Sequence, residues 1–593
     1  MGTGWDTDDT DTAATVDSTQ RLSAIDPQWQ TLRPSLLVLA IVHNVTSATR
    51  MLDVLPALAD DPRVQIFLTW TRSSVFTDGV QRLLADTGYP VLTWDQARDM
   101  AFDLALTTSL GGELHEVSAP ILRIPHGMGY NKYLNQKSEI RNQKSGSAEE
   151  PTVFGLSAEW LLHEGRLVPS AIVLSHHEQR ERLARDCPEA LPATVVAGDP
   201  CYDRLIAGLP RRRHHRNALG LREGQRLLVL TSTWGPHSLF GRHPGLAHQL
   251  LTELAFDSYR VALILHPNIW YSHGPGQIDA WLAAAQRSGL ILVPPREGWR
   301  AALLAADAVI GDHGSVPYYA AALGRPVLLD RGGADDVDPT SPIAQLLRTA
   351  PALELDRPLT DQLAEAERRR PATETIAARW LSAAPGRSLH LLRRTMYRLM
   401  AAKEPTTAPL TATVPPPAFP TTPPTALWTI LTWSHDGHRV DARRLPAATL
   451  DRAPDADETP GHQASEALLV VWDSEPDRRL TELADVILCP THELPYDPAD
   501  WLAETLHHRP GARAAAVYGP DHCLLRTRDG RHASLTLEST PHAPRPCLLA
   551  SVLCQRAATA PPQAALIKPG QLTVATDTTT TTVTVGTTTL DAV

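Results

Sequence analysis

From residue 36 to about 350 the chain alternates between short, uninterrupted apolar runs and longer segments in which apolar positions recur every three or four residues. The runs at 36–42, 64–68, 91–93, 102–106, 121–124, 171–174 and 193–197 read as strands. Segments 48–58, with Met51, Leu55 and Leu58 on one stripe, 80–86 and 179–185 read as helices. A strand that is apolar at every position is buried on both faces, so this alternation predicts a parallel sheet covered by helices on each side. A second alternation follows the basic run 211–216, with strands at 226–234, 260–266, 290–293, 308–310 and 326–329 and helices at 246–254, 277–287, 299–305 and 316–323. Two doubly wound lobes are expected, and ligands in such folds sit outside the carboxyl ends of the strands.

The remainder divides by composition. Residues 1–32 are rich in Asp and Thr and are expected to be disordered. The first lobe is expected over 33–210, interrupted by a polar insertion at 136–150, and the second over 217–403, closed by one or two amphipathic helices at 373–403. Residues 404–425 are dominated by Pro and Thr and read as a semi-rigid spacer. Past it, 426–593 reads as a small α+β region that carries no motif with recognisable chemistry.

Charge and composition narrow the function classes. A net charge of −11 over 593 residues argues against a nucleic-acid-binding surface, and 43% apolar residues leave room for large cores. The six cysteines show no metal-ligand spacing and read as reduced thiols. No apolar run reaches the roughly 20 residues that cross a bilayer, and the acidic N-terminus is unlike a secretory signal. A cytoplasmic location is expected, with peripheral membrane contact left open. The phosphate loop of a GTPase, the HExxH pair of a metalloprotease and the GxSxG elbow of a serine hydrolase are all absent.

What remains is a series of polar residues that follow strands. His43 follows the first, His126-Gly127 the fifth, Thr233-Trp234 the first of the second lobe and His266-Pro267 the next. Asp312-His313-Gly314-Ser315 then links a strand to a small-residue helix. A Gly/Ser turn feeding a helix N-terminus can hold an anion, because the first N–H groups of a helix lack intrahelical partners and carry the positive end of its dipole. His126 could take a proton from an acceptor hydroxyl at neutral pH. His266 would donate to a phosphate oxygen, and Ser315 would stabilise charge on a leaving phosphate without a metal.

The ordered set His126-Gly127, Gly198-x-Pro200-x-x-Asp203, 228–234, His266-Pro267 and 306–315 followed by Gly324-x-Pro326 resembles the CDP-glycerol glycerophosphotransferase family. More loosely it is similar to other GT-B nucleotide-sugar enzymes, including the non-hydrolysing sugar 2-epimerases. The resemblance covers roughly 36–350 and implies a GT-B-like fold of two Rossmann-type lobes facing an interlobe cleft. It also implies a nucleotide-activated small-molecule donor, no metal or other cofactor, and His126 as base. Thr233, His266, Asp312, His313, Gly314 and Ser315 would serve the donor phosphates, with His43, Gly127, Lys132, Gly198 and Asp203 as motif residues around the cleft.

The blocks 125–132 and 198–204 also look like an actinobacterial family whose members sometimes carry an initiation-factor-2 label. Glycerophosphotransferases usually carry Asp-Tyr-Ser-Ser where this chain has 312–315, and an acid in the next helix where it has Tyr318 and Tyr319. A nucleotide- or partner-binding scaffold without turnover is therefore the alternative. A 2-epimerase-like reaction, which needs acidic bases, ranks third with Asp312 and Asp203 as its only acids.

Overall fold

The computed structural model describes residues 31–71, 78–125, 127–133, 153–434, 436–449, 463–464, 467–536, 546–559, 570–576 and 580–585. His126, the insertion expected at 136–150 and nearly all of the expected N-terminal segment lie outside these residues. The chain divides into two compact units, each of which takes up the polypeptide more than once.

The first unit comprises the chain to Ala207 together with Asp336–Pro342 and Ala378–Thr413. Its sheet is built from β1 (Leu36–Val42), β2 (Val64–Trp70), β3 (Val91–Leu92), β4 (Leu104–Thr107) and β5 (Ile121–Arg123). A small hairpin, β6 (Leu162–His163) and β7 (Arg166–Leu167), precedes the last two strands, β8 (Ala171–Leu174) and β9 (Thr194–Val196). The order is β3-β2-β1-β4-β5-β8-β9 and every pairing is parallel. Winding therefore reverses between β1 and β4, the position at which doubly wound folds open a crevice. In β1 every residue but Leu37 is buried, as a central strand covered on both faces requires. The following helix, Val45–Val54, starts in a capping box: Asn44 Oδ1 accepts the Ser47 N–H at 2.8 Å and Ser47 Oγ accepts the Asn44 N–H at 2.9 Å.

The second unit holds Gly208–Asp335, Ile343–Ala377 and Val414–Val593. Its parallel sheet comprises β10 (Arg226–Ser232), β11 (Tyr259–Leu265), β12 (Ile291–Val293), β13 (Ala308–Gly311) and β14 (Val327–Leu329) in the order β12-β11-β10-β13-β14. Leu230 of β10 lies between Leu263 and Ile310, so the reversal falls between β10 and β13.

The same unit carries a ten-stranded mixed sheet. Its strands are β15 (Ala426–Trp433), β16 (Arg439–Pro446), β17 (Gln463–Ala464), β18 (Leu468–Trp472) and β19 (Val486–Pro490). They continue as β20 (Ala514–Tyr518), β21 (His522–Thr527), β22 (His532–Thr536), β23 (Gly570–Ala575) and β24 (Thr580–Val585). The two-residue period of a strand sorts its apolar residues onto two faces. Leu468, Val470 and Leu488 pack under the helix Pro546–Thr559, whereas Leu469, Val471 and Ile487 pack under the helix Pro498–His508. The 426–593 region thus has cores on both sides of its sheet. It is held to the five-stranded part by Arg444 of β16, whose Nη2 and Nε donate to Asp257 at 2.6 and 2.7 Å.

Two expectations are revised. The helices expected to close the second lobe do not stay with it: from Ala378 the chain packs in the first unit. Long-range bonds hold it there, with the Ala383 N–H on the Ser175 carbonyl at 2.8 Å and Tyr397 Oη donating to Asp61 at 2.5 Å. The Pro/Thr stretch is not a free spacer, because Val414 is fully buried and Phe419, Thr421 and Pro424 lie against Gly298, Gly220 and Gly289. A Cβ at Gly298 would fall 2.5 Å from the Phe419 ring. The basic run 211–216 is also docked, with Arg212 and Arg216 donating to Asp307 at 2.6 and 2.7 Å and to the carbonyls that end the helix Trp299–Ala305.

Candidate functional site

In the second unit the loops that leave β10 and β13 meet at the reversal point, and Asp312 joins them. Its carboxylate, 2% exposed, accepts the N–H groups of Thr233 and Leu239 on Oδ2 at 2.9 and 3.0 Å. Oδ1 accepts the Gly314 N–H at 3.0 Å. These are charge-assisted bonds to backbone, the kind that fixes loop geometry most firmly. Gly311, the last residue of β13, is tight for the same reason: a Cβ there would lie 2.4 Å from Pro317 and 2.8 Å from Thr231.

The turn opens directly into the helix Ser315–Ala322, whose N-cap, Gly314, supplies no side-chain cap. Ser315 and Val316, in its first turn, are half-buried, and Pro317 has no N–H to satisfy. Tyr318 and Tyr319 are buried in the core, with Tyr318 Oη donating to the Ile376 carbonyl at 3.5 Å. The face of the helix that meets solvent therefore carries no carboxylate.

His266 follows β11 and caps the helix Pro267–His273, its Nδ1 accepting the Asn268 N–H at 3.1 Å. In the neutral ring this bond places the proton on Nε2. Its backbone N–H donates to the Ser232 carbonyl at 3.0 Å, next to Thr233. Thus Thr233, His266 and 312–315 gather on one edge of one sheet. His313 is only 3% exposed and packs on Gly333, where a Cβ would approach the imidazole to 2.1 Å. The adjoining Gly332 bears on the Arg242 guanidinium, which is paired with Asp330 at the end of β14, and His243 Nε2 lies 3.6 Å from the same carboxylate. Neither Arg242 nor Asp330 stands out in the sequence, since their pairing depends on two loops 88 residues apart.

The first-unit residues sort differently. His43 is buried after β1 and donates from Nε2 to the Gly111 carbonyl, while its backbone N–H donates to Ser47 Oγ at 2.8 Å. It closes the reversal point rather than lining an open one. Beyond His126, Gly127 is half-buried, and the segment to Tyr133 is clamped along its backbone. Lys132 bridges to Val337, and the Asn131 carbonyl accepts the Asp338 N–H at 2.8 Å. Under this segment Arg123 is fully buried, with its guanidinium 4.4 Å from the Tyr130 ring and Nη1 donating to the Gly155 carbonyl at 2.8 Å. Burial holds that guanidinium below its usual range.

Gly198 and Asp203 prove to be a clamp. Gly198 adopts φ +79°, and a Cβ there would lie 2.6 Å from Ser388 Oγ. Asp203 accepts the N–H groups of Gly386 and Ser388 at 2.7 and 2.8 Å, which caps the helix Ser388–Leu399. Burial pushes its carboxyl up, and the two N–H donors oppose that shift. Sequence reasoning passed over His176, which lies two residues beyond β8 on the same sheet edge. Its Nδ1 accepts the Glu178 N–H at 3.2 Å and its ring stands edge-on to Trp380 at 5.2 Å. Burial, then the neighbouring His177 and Arg379, hold it below the usual imidazole range. Its position after a strand was the available signal.

Among the described residues no group of three or more His, Cys, Asp or Glu side chains is placed to hold a metal ion, and no helix is long and apolar enough to cross a membrane.

The two parallel sheets and their strand-end loops define an α/β protein with two Rossmann-type units. No protein-family model matches the chain, and comparison with curated proteins gives no match. Among solved structures it is similar to the wall teichoic acid polymerase TagF, at 12% identity over 65% of this chain and 94% of that one, with a TM-score of 0.43. It is also similar to the UDP-GlcNAc 2-epimerase of Neisseria meningitidis, at 13% identity over 61% of this chain and 100% of that one, TM-score 0.39. The corresponding enzyme of Methanocaldococcus jannaschii gives 10% identity over 61% and 100%, TM-score 0.40. TagF and the epimerases are GT-B-like enzymes.

Proposed function

We propose that the chain is a GT-B transferase that takes a group from a nucleotide-diphosphate-activated donor, glycerophosphate or sugar, and passes it to an acceptor hydroxyl. One observation carries this reading: at the reversal point of the second unit, a loop fixed by Asp312 leads into a helix whose N-cap residue, Gly314, has no side chain to cap it. Donor phosphates placed there would receive the first-turn N–H groups and the Ser315 hydroxyl, with His266 as a further donor. In the reaction, the acceptor hydroxyl loses its proton to His126 as its oxygen bonds to the transferred group. The bond from that group to the nucleotide breaks, and the electron pair leaves with the nucleotide phosphate. Positioning and electrostatics of this kind are what the strand-end residues are suited to supply.

The test is thermal stability with CDP, UDP and GDP compared at millimolar concentration. A rise with one of them is expected, and His126→Ala should abolish transfer while leaving that rise nearly intact. No rise with any nucleotide would overturn the reading. The buried Tyr318 and Tyr319 favour a second reading, a nucleotide-binding scaffold without turnover, because they leave no acid on this helix to meet a ribose. Retained nucleotide binding with no transfer to any acceptor would support it.

A further inference from the structure

The helix Ser388–Leu399 of the first unit buries Leu389, Leu392, Arg393, Met396 and Tyr397 and contains no acidic residue. Its outward side is a single stripe. Arg387, just before the helix, and His390, Arg394 and Arg398 are all exposed, at the three- and four-residue steps that place side chains in one row. Arg393, on the inner side, is paired with Glu404 at 2.9 Å. Among the described residues the side chains of Arg387, Arg394 and Arg398 make no ion pair or hydrogen bond. Exposed Lys403 extends the row past the helix end. Attraction to the negative end of the helix dipole accounts for Arg398 alone, because Arg387 stands at the opposite end, where a cation is disfavoured. An unpaired cationic row is out of keeping with a chain of net charge −11.

The acid that would complement it lies upstream in the same chain. Residues 1–30 contain six aspartates against one arginine, with Asp6, Asp8, Asp9, Asp11 and Asp17 within a dozen positions. The path of the chain leads to the stripe. The Leu36 N–H donates to the Arg63 carbonyl at 2.9 Å, and Arg63 donates from Nη2 to the Lys403 carbonyl at 2.9 Å. The Arg63 guanidinium also lies 5.8 Å from the Tyr397 ring. The polypeptide therefore enters β1 beside the C-terminal end of the basic helix. Asp17 and Leu36 are about 20 residues apart in sequence, a length that as a random coil would span on the order of 25 Å. The helix is about 18 Å long at 1.5 Å per residue.

We propose that the stripe Arg387, His390, Arg394 and Arg398 is the docking surface for the chain's own acidic segment 6–17, which covers it against other polyanions. The contact is electrostatic and exposed, so it weakens as the screening length falls from about 10 Å at 0.1 M salt to about 3 Å at 1 M.

The experiment uses the full chain with a nitroxide on Thr10→Cys. Selective labelling is feasible because all six native cysteines are buried. At low salt the spectrum should show restricted motion. It should become fast at 1 M NaCl, in Arg394→Glu/Arg398→Glu, and in the independent variant Asp6→Asn/Asp8→Asn/Asp9→Asn/Asp11→Asn, which leaves the folded unit untouched. Replacing the same four aspartates by lysine in the Arg394→Glu/Arg398→Glu background should restore restricted motion. An unmodified chain whose label is mobile at low salt overturns the proposal, as does one whose restriction survives Arg394→Glu/Arg398→Glu. Cosedimentation with vesicles containing phosphatidylglycerol provides the competing outcome. If the unmodified chain binds them through the two arginines while its label stays mobile, the stripe serves a lipid surface instead.

Discussion

The clearest energetic prediction concerns the joint between the ten-stranded sheet and the nucleotide-proposed part of the second unit. Arg444 is 3% exposed and its guanidinium is bidentate on Asp257, itself 8% exposed, with Arg222 adding a third bond at 3.1 Å. Two unit charges about 4 Å apart attract by about 4 kcal/mol at an effective dielectric of 20. Asp257→Asn would leave the Arg444 cation buried without a counter-charge, and losing one member of a buried pair costs about 3–5 kcal/mol. Arg222, 31% exposed, can turn to water and does not add to that cost. Hydrogen exchange along β16, followed with urea titration, should therefore show a stability loss of about 3–5 kcal/mol. The double variant Asp257→Asn/Arg444→Met removes both charges and should cost less than the single one. Burial alone would push the Asp257 carboxyl up, but the Arg444 and Arg222 guanidiniums outweigh it and hold it well below the usual range. A carboxylate with a depressed folded-state pKa gives stability that is complete above the unfolded value of 3.8 and is lost as pH falls further. The wild-type joint should accordingly weaken only below about pH 4. A single-variant loss under about 1 kcal/mol, or a double variant as costly as both singles added, would refute a buried, tightly coupled pair.

Three further outcomes follow from other sites. Asp312→Asn replaces an acceptor by an N–H₂ facing a backbone N–H, so melting temperature should fall by the equivalent of about 1–3 kcal/mol and any nucleotide-induced rise should shrink with it. Gly198→Ala forces a Cβ into a φ of +79° and to within 2.6 Å of Ser388 Oγ; thermal unfolding should show a loss of about 1–3 kcal/mol. His215 is fully buried, with neither ring nitrogen hydrogen-bonded among the described residues, and burial, then His214 and Arg211, hold it below its usual value of 6.5. Its folded pKa is depressed, so the unfolded chain takes the proton first and wild-type stability should decline as pH falls below about 6.5. His215→Leu should flatten that part of a pH-stability curve.

Much of the architecture was legible because central parallel strands announce themselves. Leu36–Val42, Arg226–Ser232 and Tyr259–Leu265 are apolar almost throughout and all became strands. Boundaries were less legible where a local bond sets them. The first helix begins at Val45 rather than 48 because the Asn44–Ser47 capping box starts it early. Contacts at long range left no local trace at all. Nothing near residue 385 shows that Asp203 will draw it back to the first unit, and nothing in the Pro/Thr stretch shows that Phe419 will settle on Gly298.

The candidate site was legible by position, whereas the bonds that its carboxylates make were not. Placing polar residues after strands picked out Thr233, His266 and Ser315, which gather on one edge, but it treated every such residue alike. The carboxylates separate once their acceptors are followed. Asp312 and Asp203 each spend their oxygens on backbone N–H groups, and Asp330 is spent on Arg242. A buried carboxylate held in this way fixes a loop, its oxygens already turned to backbone donors. The epimerase-like reading needs two free acidic bases, and the two acids offered for it are both engaged by backbone. A transfer reaction asks for no such pair, only for one base and a prepared anion site. The amide partners of the acids, invisible in the sequence, are thus what marks Asp312 and Asp203 as groups that fix loops, one in each unit.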